Sequence, residues 1–141
     1  HPMEKDGKHT KYYFDSEQIE DEGYYKDGEK DGKWISYNED GEKHSEINYK
    51  NGIKDGLFII WTDIGLLIRE EYLYKDDKRN GLYTYWINNN WKHIVGNYKD
   101  DKKDGEWIHY RLEGEIFIEQ HWKNGELVEV KDDEGRWRKP K

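Results

Sequence analysis

The sequence predicts an all-β array of five to six stacked antiparallel β-hairpins that form one elongated, curved sheet. Three observations carry this expectation. A short segment that opens on an aromatic and a lysine returns every 24 or 25 residues. Glycines and aromatics then follow it at fixed distances. Composition also disfavours helices, because alanine is absent, leucine is sparse, and 14 Gly stand against 2 Pro. The hydrophobic share of 33% and charged share of 40% lean towards disorder when taken alone. The 7 Trp and 12 Tyr oppose that, because so much ring surface is costly to leave in water.

The recurring segments are Tyr25-Lys26-Asp27-Gly28, Tyr49-Lys50-Asn51-Gly52, Tyr74-Lys75-Asp76-Asp77, Tyr98-Lys99-Asp100-Asp101 and Trp122-Lys123-Asn124-Gly125. A second glycine follows in four units: Gly32, Gly56, Gly81 and Gly105. Next comes one aromatic (Trp34, Phe58, Tyr83, Trp107), then a second (Tyr37, Trp61, Trp86, Tyr110), then a turn position (Gly41, Gly65, Asn90, Gly114). Each unit therefore reads as a strand, a tight turn and a returning strand, with Asp, Asn and Gly supplying the positive φ of hairpin turns. One such hairpin is marginal in water, so neighbouring units must share a core.

These spacings divide the chain into a single repeat domain over 3–141. Residues 8–24 are a degenerate N-terminal cap, with Tyr13 matching Tyr37 and Thr10 in the place of the Trp. Repeats follow at 25–48, 49–73, 74–97 and 98–121. Residues 122–141 form a C-terminal cap that keeps Trp137 and Gly135 and frays into a basic tail of Arg136, Arg138, Lys139 and Lys141. Glu17, Glu20, Asp21 and Glu22 are expected to discourage edge pairing at the N-terminal end.

Several classes fall away. No apolar run approaches the roughly 20 residues of a membrane helix, so no membrane insertion is expected. Leu57-Phe58-Ile59-Ile60-Trp61 and Leu66-Leu67-Ile68 are strand-sized. Zero Cys exclude disulfides and thiolate metal sites and fit a reducing compartment. The cytoplasm is slightly favoured. The cell surface stays open if a leader preceded Met3, since His1-Pro2 reads as a tag remnant. The net charge of −8 argues against nucleic acid and suits a basic protein partner.

The pattern Tyr-Lys-Asn/Asp-Gly, then a glycine, two spaced aromatics and a turn glycine, resembles the MORN repeat. It is most similar to the bacterial MORN-2 variant of the YwqK-type antitoxin family. Tyr25 to Tyr37 and Tyr49 to Trp61 carry the resemblance best, and it spans residues 8 to 130. Asp77 and Asp101 depart from the expected first glycine and should alter local turn geometry. The resemblance implies a scaffold or binding module without a particular ligand. A weaker similarity of residues 32–41 to the aromatic hairpins of cell-wall-attachment repeats implies carbohydrate binding.

The chemistry-bearing residues form few patterns. His44 and His93 hold matching positions on return strands and might neighbour one another across repeats; His9, His109 and His121 show no metal-ligand spacing. Glu70 with Glu71, and Glu113 with Glu115, could approach on a sheet face. Ser16, Ser36 and Ser45 form no triad. Lys99, Lys102 and Lys103, with Lys75, Lys78 and Arg79 one unit earlier, read as solvated turn charges. Trp91 is a singleton expected to pack locally. No enzymatic activity, cofactor or metal site is expected. Among the aromatics, Tyr37, Trp61, Trp86 and Tyr110, with Tyr49, Tyr74, Tyr98 and Trp122, are read as the core between repeats. Trp34, Phe58, Tyr83 and Trp107 are read as the partner-binding row, because a rigid line of Tyr and Trp suits a binding hot spot. The expected function is a non-enzymatic protein-binding repeat module, antitoxin- or immunity-like, with carbohydrate binding as the alternative.

Overall fold

The computed structural model describes residues 6–62, 68–88 and 90–141. The turn position Gly65 and the apolar pair Leu66-Leu67 lie outside the described residues. Among the described residues the chain is all-β, with fourteen strands in one antiparallel sheet. In chain order these are β1 (Gly7–Tyr12), β2 (Ile19–Lys26), β3 (Glu29–Tyr37), β4 (Lys43–Lys50), β5 (Ile53–Trp61), β6 (Arg69–Lys75) and β7 (Lys78–Arg79). Then follow β8 (Gly81–Trp86), β9 (Lys92–Lys99), β10 (Lys102–Lys103), β11 (Gly105–Tyr110), β12 (Ile116–Lys123), β13 (Glu126–Lys131) and β14 (Trp137–Arg138). Neighbours in sequence are neighbours in space from β1 to β14, with the short β7 and β10 pairing β6 and β9. The sheet stays open, and among the described residues nothing packs over it as a second layer. The accessible surface is 9759 Å², against roughly 7,800 Å² for a compact protein of this mass.

A single layer must build its core from its own side chains. Register and alternation place one row along a single face, running His9, Gly23, Trp34, Ile47, Phe58, Tyr72, Tyr83, Gly96, Trp107, Gln120 and Val130. A second row on that face holds Tyr25, Tyr49, Tyr74, Tyr98 and Trp122. The core forms where the two rows meet. Trp107 is 2% exposed, Trp34 5%, Tyr83 6% and Tyr98 9%. Trp107 stacks on Tyr83 with ring centres 5.3 Å apart and meets Tyr98 edge-on at 5.2 Å.

The two indoles settle in the same way. Each lies over a glycine of the preceding strand and donates its Nε1–H to the carbonyl of the residue after that glycine. Trp34 covers Gly23 and bonds Tyr24 O at 3.0 Å; Trp107 covers Gly96 and bonds Asn97 O at 3.0 Å. A Cβ on Gly23 or Gly96 would sit 2.2 or 2.1 Å from the ring. Where the matching return-strand residue is Ile47 or Tyr72, the next forward strand carries the smaller rings Phe58 and Tyr83. Burying one such indole removes ~150–250 Å² from water, roughly 4–6 kcal/mol as an upper bound.

Cations close this face. Lys30 lies 4.6 Å from the Trp34 ring centre and 5.1 Å from Tyr49, Arg79 4.3 Å from Tyr98, and Lys103 4.5 Å from Trp107 and 4.6 Å from Trp122. Arg79 and Lys103 are therefore inward ring covers and not solvated turn charges. Burial lowers the Lys103 pKa.

These three residues, together with Lys54 at the equivalent position over Phe58 and Tyr74, tie each unit to the turn that follows one period later. The carbonyls of Lys30, Lys54, Arg79 and Lys103 accept the N–H of Gly52, Asp77, Asp101 and Gly125 at 2.9–3.0 Å. Asp77 and Asp101 do not alter the turn. They take φ values of 70° and 69°, beside 82° for both Gly52 and Gly125. Their carboxylates offset the cost: Asp77 Oδ1 accepts the Lys54 N–H at 2.9 Å, and Asp101 Oδ1 accepts the Arg79 N–H at 2.8 Å and its Nε–H at 3.0 Å.

Both caps differ from their sequence reading. His9, and not Thr10, takes the Trp position, stacking on Trp34 at 5.4 Å. The acidic residues of β2 do not guard an edge, because β1 pairs with that strand. The C-terminal tail is ordered as far as β14. Trp137 stacks on His121 with ring centres 3.8 Å apart, and Asp132 pairs with Arg136 and Arg138.

Two outcomes follow. Gly96→Ala should cost about 1–3 kcal/mol, although alanine fits a strand better than glycine, because the methyl meets the Trp107 ring; chemical denaturation measures it. Asp101→Ala should cost about 1–2 kcal/mol through the lost backbone bond and the positive φ. The Arg79 N–H and guanidinium hold the Asp101 pKa below its ordinary value. This stabilisation is complete above the unfolded carboxylate pKa near ~4 and is lost as pH falls through the depressed folded value. Denaturation of wild type and variant across acidic pH should therefore converge.

Candidate functional site

The row read as partner-binding does not face solvent. Trp34, Tyr83 and Trp107 are buried, and Phe58 is half-buried between Tyr72 and Tyr74 with Lys54 above it. The physical reason is the missing second layer: the largest rings lie down on their own sheet. Tyr83 is further held by Glu70, whose Oε2 accepts the hydroxyls of Tyr83 and Tyr72, each at 2.7 Å. Burial first, and then this carboxylate, push both phenol pKa values well above the ordinary one.

Other pairings also resolve differently. Glu70 and Glu71 point to opposite faces, as adjacent strand residues must; Glu71 pairs with Arg69 at 3.3 Å. His44 and His93 sit four strand spacings apart, about 19 Å. His93 meets His109 and Tyr85 instead, and its Nδ1 donates to Tyr110 O at 2.9 Å. Burial, together with the His93 and Lys103 charges, lowers the His109 pKa. Among the described residues no group of three His, Asp or Glu side chains is placed to hold a metal ion. Glu113 and Glu115 flank the β11–β12 turn and line a shallow cavity of about 440 Å³ with Arg111, Leu112 and Phe117.

The face left over is the opposite one, and it is organised in three rows. The first holds Leu57, Leu73 and Leu82 side by side on β5, β6 and β8, exposed by 40%, 39% and 53%. The second alternates Ile35, Ile59, Thr84 and Ile108 on forward strands with Glu22, Glu46, Glu71, Val95 and Glu119 on return strands. The third alternates Tyr37, Trp61, Trp86 and Tyr110 with Lys43, Arg69 and Lys92. The rings expected as inter-repeat core thus divide between the two faces, and Tyr37, Trp61, Trp86 and Tyr110 are half-buried on the open one.

Neighbouring rows exchange charge. Lys43 bonds Glu46 at 2.7 Å, Arg69 bonds Glu71, and Tyr37 donates its hydroxyl to Glu22 at 2.9 Å. Trp91 does not pack into the sheet. It stays 44% exposed at the β8–β9 hairpin end. The leucine row escaped the sequence reading, although Leu57 and Leu82 each directly follow the second glycine of their unit.

No family model and no curated protein matches this chain. The open face is accordingly judged on its own chemistry. It offers a rigid apolar strip beside an amphipathic ladder of rings and cations.

The Glu70 junction has a measurable consequence at high pH. A raised phenol pKa favours the fold below the ordinary value of ~10 and loses that contribution as pH rises towards the folded values. Tyr72 and Tyr83 should therefore ionise only as the chain unfolds in alkali, visible as delayed phenolate absorbance. Glu70→Gln should weaken the fold by about 1–3 kcal/mol and bring phenolate absorbance to lower pH.

Proposed function

We propose that this chain is a non-enzymatic protein-binding repeat module of the MORN-2 kind, antitoxin- or immunity-like. Its contact surface on this reading is the open face, with Leu57, Leu73 and Leu82 as the apolar row and Trp61 and Trp86 two rows along on the same face, and not the inward row of Trp34, Phe58, Tyr83 and Trp107. The observation that carries the reading is the exposed leucine row. Three large apolar side chains stand side by side on a rigid sheet, a cost in water that a partner would remove. Trp and Tyr on the same face are residues of the kind that dominate binding energy elsewhere. The net charge of −8 favours a basic partner and a salt-dependent association rate.

A second reading, carbohydrate binding, is favoured by the third row. Tyr37, Trp61, Trp86 and Tyr110 repeat every second strand, roughly 9.6 Å apart, which suits every second ring of an extended glycan.

The leucine row decides between them. Leu73→Ser with Leu82→Ser should change folding stability by no more than about 1 kcal/mol, since both sites are exposed. Quantitative affinity capture from the source cell should recover one stoichiometric protein with wild type and lose it with the double variant. Equal recovery by both would defeat the protein-binding reading through this face.

A further inference from the structure

A concave site lies on the open face where the end of the β8–β9 hairpin meets that of β11–β12. Trp86, Asn90, Trp91, Lys92, Tyr110 and Gly114 line a cavity of about 230 Å³. That lies below the ~300–1,000 Å³ of drug-sized pockets and suits a single six-membered ring.

Hydrogen bonds at the hairpin end hold the backbone that carries its indole. Asn88 Oδ1 accepts the backbone N–H of Asn90 at 2.8 Å and of Trp91 at 2.9 Å, and the Ile87 N–H bonds Trp91 O at 3.2 Å. These bonds fix the Trp91 backbone beside the cavity, and its ring is 44% exposed. On the opposite side of the cavity Trp86 is gripped between Arg69, 4.5 Å from its ring centre, and Lys92, 5.4 Å away. Its Nε1–H is buried without a hydrogen-bond partner.

The repeat reveals an unbalanced charge here. Lys43 has Glu46 and Arg69 has Glu71. At the equivalent place beside Lys92 the chain carries Val95. No described carboxylate lies within ion-pair distance of Lys92. A solvent-exposed ammonium without an ion-pair partner among the described residues thus borders a cavity walled by rings, with the Asn90 amide able to donate and accept.

We propose that this cavity binds one carboxylated pyranose, a uronic-acid residue. The ring faces of Trp91 and Tyr110 would take the C–H faces of the sugar, Asn90 its hydroxyls, and Lys92 its carboxylate. A polyanion is opposed by the net charge of −8, so the ligand is a single acidic sugar, free or at the end of a chain. The proposal deepens the carbohydrate reading above and rests on it.

Calorimetric and tryptophan-fluorescence titrations with glucuronate, methyl β-glucuronide, glucose and acetate test it at low ionic strength. Saturable binding of glucuronate at least about tenfold tighter than glucose or acetate is expected. Methyl β-glucuronide binding as well as glucuronate marks a chain end; weaker binding marks the free sugar. Lys92→Met should abolish the preference for acid over neutral sugar. Trp91→Ala should weaken glucuronate by about tenfold or more, with circular dichroism unchanged. Glucose binding as tightly as glucuronate, or a preference that survives Lys92→Met, overturns the acidic-sugar site and leaves the carbohydrate reading standing. Saturation by neither sugar overturns the acidic-sugar site, and if a neutral β-linked glucose hexasaccharide also fails to bind, the carbohydrate reading falls with it.

Discussion

An indole lying flat on a glycine is the contact from which this architecture is organised. A one-layer sheet has no facing helix or sheet to receive its large side chains, so burial must come from rings folded down onto neighbouring strands. Trp34 over Gly23 and Trp107 over Gly96 achieve this most completely, with the indole N–H satisfied by the next carbonyl in both cases. The central units use a different solution to the same space, with Ile47 and Tyr72 in the glycine position and the smaller Phe58 and Tyr83 opposite. Ring volume and return-strand volume thus trade off along the row, as close packing demands.

Repetition then turns local contacts into a long array. The residue whose side chain covers the rings also offers its carbonyl to the turn of the following unit, from Lys30 to Lys103. Side-chain and backbone contacts therefore enforce one stacking geometry. Asp replaces Gly in two of these turns, and its carboxylate recovers in hydrogen bonds what the left-handed backbone costs. Because this machinery occupies one face, the other is free to differ from unit to unit. The leucine row and the Lys92–Val95 substitution are both such local differences.

Much of the fold was legible in the spacing. The period, the turn positions and the two-residue alternation place strands and bends close to where they lie, since each depends on neighbours in sequence. Errors arose where a contact reaches across strands. A strict period extended into the cap selects Thr10 as the Trp equivalent, whereas register selects His9. Glu70 and Glu71 looked adjacent but belong to opposite faces. The Gly23–Trp34 and Gly96–Trp107 pairs share a separation that could have been noticed, and it would have marked Trp34 and Trp107 as buried rather than available.

By itself the sequence determined the strand-turn rhythm, the antiparallel order and the identity of the ring-bearing columns. Those follow from turn chemistry and alternation, which act over a few residues. Only the tertiary structure decided which face those rings cover. Both faces carry aromatics at equal spacing, and the choice rests on cross-strand volume and on the cations that fold over one side. It also decided that Lys92 stands without a carboxylate partner among the described residues, because that depends on which residue of the same strand shares its face and on what the adjacent strands bring beside it.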